Sequence, residues 1–513
     1  MCACFRFFFF FFFFFYLVNA ITIDCFLTNT KGKTFVCNAI LAHVRSKGDI
    51  ALPCASSGIA ATNFKGGRTV HSRFGIPLKI YHSSTCNLTK KCAKLQLIKE
   101  AKVIIWDEAP MQQRWIMECV DRTLRELLEN NKPFGGKTII FSGDYRQVSC
   151  VIPRVGKAQI IQRTFTNSKL WKHVKQLHLF ENERINRLKN LKTEEKERLV
   201  AFGKLLLQIG EGIYPNEDDL IQIPEKMVSK SQNVTQFIEE IYGNLKNLNP
   251  YSKDLSILKT AILTPKNEHM RQINEAAIHK FRGKLKIYKS TNTVLDEQHV
   301  CTYTTEFLNG LKINGLPEHE LLLKVGAPVM VLRNYDPING VCNGTKGIIG
   351  KLSTNIIEVI IKDAHDMPKS ILLHRRDMKP SDPQIGIEFQ RHQFPISLAF
   401  AMTINKSQGQ TLHRVGLYLE EPVFGHGQLY VALSRVIHPD NIKVFVTDTE
   451  IQGKLDAHSA KVYTKNVVFH EILLSAGLIQ QLPQQSRTTI VEQPERFDFD
   501  YDAEFECSDD EWL

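Results

Sequence analysis

Gly32-Lys33-Thr34 has the residue types of a site that binds phosphate groups. The triplet follows an apolar stretch, Ile21–Leu27, and precedes a run with helical spacing. Backbone N–H groups at the start of a helix bind phosphate oxygens, a lysine neutralises their charge, and a threonine hydroxyl binds Mg²⁺. We therefore predict that Gly32, Lys33 and Thr34 bind a nucleotide, and that Thr34 is also a metal ligand.

The phosphate-loop pattern G-x-x-x-x-G-K-[ST] is incomplete in this chain. Leu27 stands at the position of its first glycine, and Asn29-Thr30-Lys31 fills a stretch that is usually rich in glycine. A loop that needs positive φ loses roughly 1–3 kcal/mol at each misplaced non-glycine residue. Taken alone, the triplet is equally consistent with a surface turn, so its interpretation depends on the motifs that accompany it.

Two further motifs contain the polar residues that a nucleotide-hydrolysing site requires. The apolar run Val103–Trp106 ends in Asp107-Glu108, and the strand-like Thr138–Phe141 is followed by Gly143–Gln147. At the end of a strand, Asp107 can hold the water shell of Mg²⁺, and Glu108 can activate an attacking water. Gln147 is suited to sensing the γ-phosphate and that water. We predict catalytic roles for all three residues, the alternative for the acidic pair being a solvated turn.

The elements around these motifs indicate a parallel sheet. Buried strands are predicted at 49–55, 102–106 and 137–142, and helices at 35–47 and 113–130. Strands that alternate with helices form a parallel sheet covered on both faces. The three motifs would then follow neighbouring strands at one edge of that sheet.

The rest of the chain contains a second α/β region with a β-rich interruption. Residues 186–250 are charged at their start and rich in Asn and Lys at their end, and are predicted to form a helical connector. A second strand-and-helix region opens at Thr260–Pro265, Gly326–Ile361 is locally all-β, and the α/β pattern returns from Phe394. These patterns indicate a β module inserted into a second α/β domain.

Charge and cysteine content narrow the class of protein. The 513 residues have a net charge of +11, but residues 492–513 contain ten acidic side chains and only one basic one, so the remainder carries about +20. A basic body attracts phosphate backbones, whereas the acidic tail after about residue 485 is predicted to be disordered. The twelve cysteines form no C-x-x-C pair, which argues against a zinc site and predicts reduced thiols.

The N-terminus is unusual because Phe7–Phe15 is an unbroken run of nine phenylalanines. The apolar stretch is shorter than the roughly 20 residues of a membrane span. It resembles the apolar region of a signal peptide, which would make the protein secreted or membrane-anchored; the alternative is a translated polypyrimidine tract. We treat residues 1–20 as an artefact or a disordered segment and exclude them from fold predictions.

Longer blocks in the chain resemble a known family, the petite-integration-frequency helicases related to bacterial RecD, and above all the helicase module of Helitron transposons. The resemblance covers about residues 33–450. It rests on the blocks Ala55–Ala61, Gly67–Phe74, Trp106–Pro110, Gly143–Gln147, Leu263–Asn267, Gly326–Asn334, Thr403–Thr411 and Tyr430–Arg435.

The resemblance implies an α/β fold with two RecA-like parallel-sheet domains of the P-loop NTPase class and an inserted SH3-like β module. Domain 1 would span 21–185, and the helical connector 186–250 would follow it. Domain 2 would comprise 251–300 and 385–470, with the SH3-like module at 301–384 and the acidic tail at 485–513.

The resemblance also implies an ATP-dependent 5′-to-3′ DNA helicase that uses ATP and Mg²⁺ as cofactors. Its partners would be single-stranded and duplex DNA and not a membrane, and it would act as a monomer. The family suggests the nucleus, with the mitochondrion as the alternative, and roles in telomere maintenance, repair and recombination.

Several residue roles are carried over from the family. Arg184 and Arg435 would reach the γ-phosphate from the interdomain cleft as arginine fingers. The alternative for Arg184 is a surface salt bridge. The predicted contacts to single-stranded DNA involve small hydroxyls, an amide and two rings suited to stacking, of which Phe74 could instead be a core residue. They are Ser56, Ser57, Thr69, His71, Ser72, Phe74, Thr403, Ser407 and Gln408.

Four departures from the family support a second hypothesis. The phosphate loop lacks its glycines, the phenylalanine run replaces the segment that carries an adenine-reading glutamine, Ser149-Cys150 replaces Leu-Pro, and the nuclease half of a Helitron protein is absent. The chain could therefore be a decayed, ATPase-deficient relic that still binds single-stranded DNA.

Overall fold

The computed structural model describes residues 24–28, 32–152, 155–179, 192–217, 219–247, 255–295, 303–336, 339–362, 367–380, 387–454 and 461–481. The predictions for residues 1–20, Arg184 and the acidic tail lie outside these ranges. Among the helices described, none is both long and apolar enough to cross a lipid bilayer.

The first domain is built on a six-stranded sheet in which every neighbouring pair of strands is parallel. The strand order is β3-β2-β4-β5-β1-β6. The strands are β1 (Asp24–Thr28), β2 (Ile50–Ala55), β3 (Arg68–Thr69), β4 (Ala101–Asp107), β5 (Thr138–Ser142) and β6 (Val174–His178). The helices are α1 (Lys33–Ser46), α2 (Gly58–Ala61), α3 (Val70–Phe74), α4 (Ala93–Glu100), α5 (Arg114–Leu127) and α6 (Lys157–Arg163).

The three predicted strands and two predicted helices of this domain are present, within three residues of the expected bounds. Alternate residues of β4 explain why: Val103 and Ile105 pack with α1, whereas Ile104 and Trp106 pack with α5 on the opposite face. A strand that is buried on both faces reads as a continuous apolar run, which is the pattern visible in the sequence.

The remaining elements follow in chain order. The helices are α7 (Thr193–Glu211), α8 (Val234–Tyr242), α9 (Asn267–Lys280), α10 (Thr305–Gly310), α11 (Gln428–Leu433) and α12 (His470–Ser475). The strands are β7 (Asn216–Glu217), β8 (Leu220–Gln222), β9 (Thr260–Thr264), β10 (Lys286–Lys289), β11 (Thr291–Val294), β12 (Glu320–Leu323), β13 (Pro328–Val331), β14 (Lys346–Leu352), β15 (Ile356–Lys362), β16 (Pro368–His374), β17 (Arg376–Met378), β18 (Phe389–Gln393), β19 (Ile396–Leu398), β20 (Ala401–Thr403), β21 (Arg414–Leu419), β22 (Ile442–Val446) and β23 (Tyr463–Lys465).

The second domain contains a four-stranded parallel sheet in the order β20-β9-β21-β22. Ala261 and Leu263 on one face pack with α7 and α11, and Ile262 on the other face packs with α8 and α9. The two parallel sheets confirm the predicted α/β fold with two RecA-like domains. The region predicted as a helical connector, 186–250, also contains the β7–β8 hairpin and α8, and both belong structurally to this second domain.

A β module interrupts the second domain between β9 and β20. Its five-stranded antiparallel sheet has the order β16-β15-β14-β13-β19, and the short sheets β10-β12 and β11-β18-β17 accompany it. The module therefore begins before the predicted start at 301 and ends after the predicted end at 384.

The end of the described chain returns to the first domain. Ile472 and Leu473 of α12 are fully buried in the same core as Phe141 and Phe165. The indole N–H of Trp171 donates to the Ser475 carbonyl over 3.2 Å. This contact joins the end of the described chain to the first domain, so the domains are linked by more than the α7 segment.

Candidate functional site

The predicted phosphate-binding triplet begins helix α1. Gly32 is the N-cap residue, with φ 92° and ψ 0°, a left-handed conformation that glycine adopts without steric cost. Lys33 and Thr34 form the first turn, and the Val36 N–H donates to the Gly32 carbonyl over 2.9 Å. Leu27, at the position of the missing glycine, is part of β1, and Asn29–Lys31 lie outside the described residues. The second glycine of the motif thus occupies a position that requires glycine.

The acidic pair lies directly opposite Lys33. Asp107 is the last residue of β4, and Glu108 follows it with φ 52° and ψ 40°. This conformation is strained for a non-glycine residue, and such strain concentrates at functional sites. The Lys33 Nζ lies 3.9 Å from Glu108 Oε1, and all three side chains are buried. The ends of β4 and of the β1–α1 connection therefore meet, as the sequence predicts for parallel strands.

Burial and mutual repulsion change the protonation of these groups. Burial, together with the neighbouring charge of Glu108, raises the pKa of Asp107 to about 6 against the opposing effect of Lys33. For Lys33, burial lowers the pKa, but the charges of Glu108, Asp107 and Asp144 outweigh burial and the net pKa is raised. Lys33 is therefore held as a cation, whereas the paired carboxylates are held in a site that favours an added positive charge.

Four buried polar atoms face this site without a hydrogen-bond partner among the described residues. They are Lys33 Nζ, Asp107 Oδ1, Glu108 Oε2 and Gln147 Oε1. Each unsatisfied buried polar group costs about 1–3 kcal/mol, so a group of them needs an explanation. A phosphate would satisfy the ammonium, and a divalent cation with its water shell would satisfy the carboxylates. These residues fit the predicted ATP and Mg²⁺.

Arg435 forms the opposite wall of the cleft. It follows α11 in the second domain and is 6% exposed. Its guanidinium donates to four oxygens, with Nε 2.8 Å from the Val431 carbonyl and Nη1 3.1 Å from the Gln410 carbonyl. The other two acceptors are the Ser407 carbonyl and the Ser434 hydroxyl. A cavity of about 280 Å³ separates this wall from Lys33, Asp107, Glu108 and Gln147.

Helix α7 contributes an apolar side to the same cavity, through Leu199, Phe202, Leu206 and Leu207, with Gly203 between them. The sequence predicts only a helical connector here, because the charged residues at its start mask the apolar face. The spacing of Leu199, Phe202 and Leu206 was a usable signal, since residues three and four apart share one face of a helix.

The predicted DNA-binding residues of the first domain lie at the starts of two short helices. The Ser57 hydroxyl accepts the Ala60 N–H over 3.2 Å, and the Thr69 hydroxyl accepts the Ser72 N–H over 3.4 Å. Both hydroxyls are therefore helix caps. Ser56 has a buried hydroxyl with no described partner, Ser72 is exposed, and burial lowers the pKa of His71.

Phe74 does not occupy a position that could stack on a base. Its side chain is 0% exposed and belongs to the core of the first domain. Its ring lies 5.8 Å from the Trp106 ring, with an interplanar angle of 27°. The prediction of a DNA contact for Phe74 was therefore wrong, and its alternative, a core residue, is correct.

The predicted DNA-binding residues of the second domain differ in whether their polar groups are already hydrogen-bonded within the protein. Ser407 is fully buried, and its hydroxyl donates to the Ile404 carbonyl over 2.7 Å, which gives it a structural role. Thr403, at the end of β20, is 7% exposed. Gln408 is 4% exposed, and neither atom of its amide group has a hydrogen-bond partner within the described ranges. Gln408 is therefore the strongest candidate of this group.

Two family models match the chain. One is described as PIF1-like helicase and matches residues 25–220, and the other is described as DNA helicase Pif1, 2B domain, and matches residues 306–352. The second match lies in the β module.

Curated relatives cover most of the chain at low identity. The ATP-dependent DNA helicase Pif1 of Psychrobacter is 26% identical over 82% of this chain, which spans 65% of that relative's length. The ATP-dependent DNA helicase Pif1 of Campylobacter jejuni is 25% identical over 86% of this chain and 92% of its own length. The human ATP-dependent DNA helicase PIF1 is 25% identical over 81% of this chain and 57% of its own length. The chain thus spans under two thirds of two of these relatives and nearly all of the third.

Solved structures share the fold. A Bacteroides Pif1 helicase in complex with ADP-AlF3 and single-stranded DNA aligns with a TM-score of 0.58 at 23% identity, over 85% of this chain and 91% of that one. The Candida albicans Pif1 helicase aligns with a TM-score of 0.56 at 22% identity, over 83% and 92% respectively. At this level of identity the similarity establishes the fold and no more.

Proposed function

We propose that the chain is a PIF1-like helicase, as the two family models and the curated relatives support, and that it is an ATP-dependent DNA helicase. It hydrolyses ATP in the cleft between its two RecA-like domains and couples the reaction to 5′-to-3′ movement along single-stranded DNA and to duplex unwinding. The observation that carries the proposal is a set of buried atoms on Lys33, Asp107, Glu108 and Gln147 that have no hydrogen-bond partner in the described part of the chain and that face Arg435 across one cavity.

Each of these residues has a distinct part in hydrolysis. Lys33 and the N–H groups at the start of α1 bind the β- and γ-phosphates. Glu108 accepts a proton from the attacking water, and Gln147 orients that water through its buried amide oxygen, which accepts no hydrogen bond from any described residue. Arg435 crosses the cleft to offset the charge that develops on the transferred phosphoryl group, and we propose the same task for Arg184.

Thr34 and Asp107 are the residues that would hold Mg²⁺. Thr34 lines the cavity, and Asp107 Oδ1 is buried without a partner among the described residues. Bound there, the ion would neutralise charge on the phosphate oxygens. Its presence would also lower the pKa of Asp107, because a nearby positive charge favours the carboxylate.

Single-stranded DNA would bind to the surface that contains Ser56, Ser57, Thr69, His71 and Ser72 in the first domain, and Thr403 and Gln408 in the second. Small hydroxyls and amides suit the sugar–phosphate backbone, and the basic body of the chain supplies long-range attraction. Domain motion driven by ATP would shift one group of contacts relative to the other. We propose that the protein works as a monomer on DNA in the nucleus, with the mitochondrion as the alternative compartment.

The decisive test compares wild type with Lys33→Ala. We expect wild type to show ATPase activity stimulated by single-stranded DNA, and the variant to lose at least about 10²-fold of it, since the charge opposite the phosphates is removed. Binding of single-stranded DNA should be unchanged. Turnover is measured by phosphate release, and DNA binding by fluorescence anisotropy of a labelled oligonucleotide.

Lys47→Ala is the matched control, because Lys47 is an exposed lysine at the other end of the same helix. It should behave as wild type. Equal turnover in wild type and Lys33→Ala would contradict the proposed enzyme, whereas DNA binding without any turnover in wild type would support the second hypothesis of a binding protein. Strand separation of a substrate with a 5′ tail, and not a 3′ tail, tests the polarity.

A further inference from the structure

The segment Gly143–Gln147, here called the sensor loop, is packed between both domains. On its own domain, it lies against the turn that carries Glu108, because a Cβ atom at Gly143 would be 2.1 Å from Pro110 Cδ. Within the loop, the Gln147 N–H donates to the Asp144 carbonyl over 3.1 Å. The position of Asp144 therefore determines where Gln147 enters the cleft.

The C-terminal end of α7 binds the loop through Arg146. The Arg146 guanidinium donates to Glu211 Oε1 from Nε over 3.0 Å and from Nη2 over 2.5 Å. Arg146 is 5% exposed, so the pair is largely shielded from solvent. A paired, buried guanidinium has a well-defined orientation, since breaking one side leaves an uncompensated charge.

Helix α11 of the second domain binds the loop through Tyr430. The Tyr430 hydroxyl donates to Asp144 Oδ2 over 3.1 Å, and the two residues are 2% and 1% exposed. The ring of Tyr430 packs on Gly210 of α7, where a Cβ atom would lie 2.8 Å from its Cδ2. The tyrosine thus fits only because a glycine precedes Glu211.

The same helix carries Arg435 at its other end. Before the helix, Gly427 has φ +71°, and a Cβ atom there would lie 2.3 Å from the Arg146 carbonyl oxygen. After the helix, Arg435 lines the cavity opposite Gln147. The six residues of α11 are buried, so the helix connects the loop and the arginine as one rigid element.

We propose that Tyr430 is a positioning residue that couples the two walls of the ATP site, because its bond to Asp144 ties the sensor loop to the helix that places Arg435. This inference rests on the proposed function. When the second domain moves toward ATP, α11 moves Arg435 toward the γ-phosphate and moves the sensor loop with it. Gln147 and Arg435 therefore reach their positions at the ATP site together. Glu211 and Gly210 support the same connection from α7.

The test compares Tyr430→Phe with Tyr418→Phe. Both substitutions remove one hydroxyl that donates to a carboxylate, since Tyr418 donates to Glu420 Oε2 over 3.2 Å, and both residues lie in the second domain. Tyr418 lies on the opposite face of the sheet, away from the cleft. We expect Tyr430→Phe to lower the DNA-stimulated kcat about tenfold, equivalent to one charged hydrogen bond, without changing KM for ATP. Tyr418→Phe should match wild type.

A second measurement separates positioning from a merely structural role. Tyr430→Phe should weaken binding of ADP with aluminium fluoride, a mimic of the transferred phosphoryl group, by the same factor as kcat, and leave ADP binding unchanged. The double variant with Asp144→Asn should be no slower than the slower single variant. A kcat equal to that of Tyr418→Phe, or equal losses of ADP and mimic binding, would overturn the inference.

Glu211→Gln addresses the same connection if Tyr430→Phe does not fold. Glu211 is partly exposed, and glutamine keeps its shape while removing the charge that holds Arg146. It should also lower kcat and spare KM, and an unchanged kcat would count against the proposal. If wild type shows no ATP turnover that is lost in Lys33→Ala, the proposed function itself is overturned. If wild type is active and the Tyr430 and Glu211 variants are equally active, only the role of Tyr430 is overturned.

Discussion

The two walls of the cleft differ in how their polar groups are satisfied. On the first domain, Lys33, Asp107, Glu108 and Gln147 each present a buried atom without a hydrogen-bond partner among the described residues. On the second domain, the Arg435 guanidinium donates to four oxygens of its own domain. The first wall therefore has polar groups available for a ligand, whereas the charged group of the second wall is already hydrogen-bonded within its own domain.

This difference suggests that the two walls stabilise different states of the reaction. Unsatisfied groups that cost about 1–3 kcal/mol each are relieved when a ligand enters, so the first wall provides affinity for the ground state. Arg435 gains nothing until a stronger acceptor replaces its present carbonyl partners. Interactions that form only in the transition state raise kcat, whereas those formed with substrate alone lower KM. We infer that the first wall provides affinity for the nucleotide together with the groups that act on the attacking water, whereas Arg435 on the second wall acts on the rate alone.

The largest expected effect is that of Arg435→Lys. Lysine keeps the positive charge but loses the planar fork that reaches the phosphoryl oxygens while retaining backbone contacts. We expect kcat to fall about 10³-fold, as for other arginine fingers, with unchanged affinity for ADP. The measurements are steady-state phosphate release and titration with a fluorescent ADP analogue.

Arg414→Lys is the matched control, because Arg414 is exposed on β21 of the same domain and donates to the Glu240 carbonyl. It should leave both quantities unchanged. A parallel loss of ADP affinity in Arg435→Lys would show that the second wall also binds the ground state, and the division between the walls would then be wrong.

Glu108→Gln should cause the next largest loss of kcat, and it should strengthen ATP binding. Glutamine cannot accept the proton of the attacking water, so kcat should fall about 10²-fold. The substitution also removes a negative charge 3.9 Å from the Lys33 ammonium and beside Asp107. ATP binding should consequently become tighter, which equilibrium titration under non-hydrolysing conditions measures. Weaker binding would mean that Glu108 orients Lys33 and does not activate water.

Much of the first wall could be predicted from the sequence. Its residues lie zero to five positions after the last residue of an apolar strand. The carboxyl ends of parallel strands converge on one edge of a sheet. Recognising the strands β4 and β5 was thus enough to place Asp107 and Gln147 near Lys33. For these residues, the motif itself and its place at the end of a strand predict the same location in the fold.

The second wall and the DNA surface show where such prediction fails. Tyr430 binds Asp144 and Glu211 binds Arg146 across domain boundaries, and no spacing within either motif encodes those pairs. Phe74 was misassigned for a related reason: it ends a five-residue helix, too short to display a periodic apolar face. Its burial depends on Trp106, which lies in a different motif.

The smallest expected effect concerns His426, which joins the two walls. Its Nε2–H donates to the Tyr145 carbonyl over 2.7 Å, and its Nδ1 accepts the Phe469 N–H over 2.9 Å, so both bonds require a neutral ring. Burial, aided by the nearby His470, lowers the pKa of His426 to about 4. The unfolded chain, with a histidine pKa of about 6.5, binds a proton at higher pH than the folded chain does.

The contribution of His426 to stability is consequently complete above about pH 6.5 and is lost as the pH falls toward 4. It amounts to about 3 kcal/mol at most across that window. His426→Gln should reduce the fall in the free energy of unfolding between pH 7 and 5, measured by urea denaturation, because an amide can make both bonds without titrating. His413→Gln, at an exposed position, should keep the wild-type slope. Equal slopes in wild type and His426→Gln would mean that the walls are joined without this histidine, leaving Tyr430 and Glu211 as the connection between them.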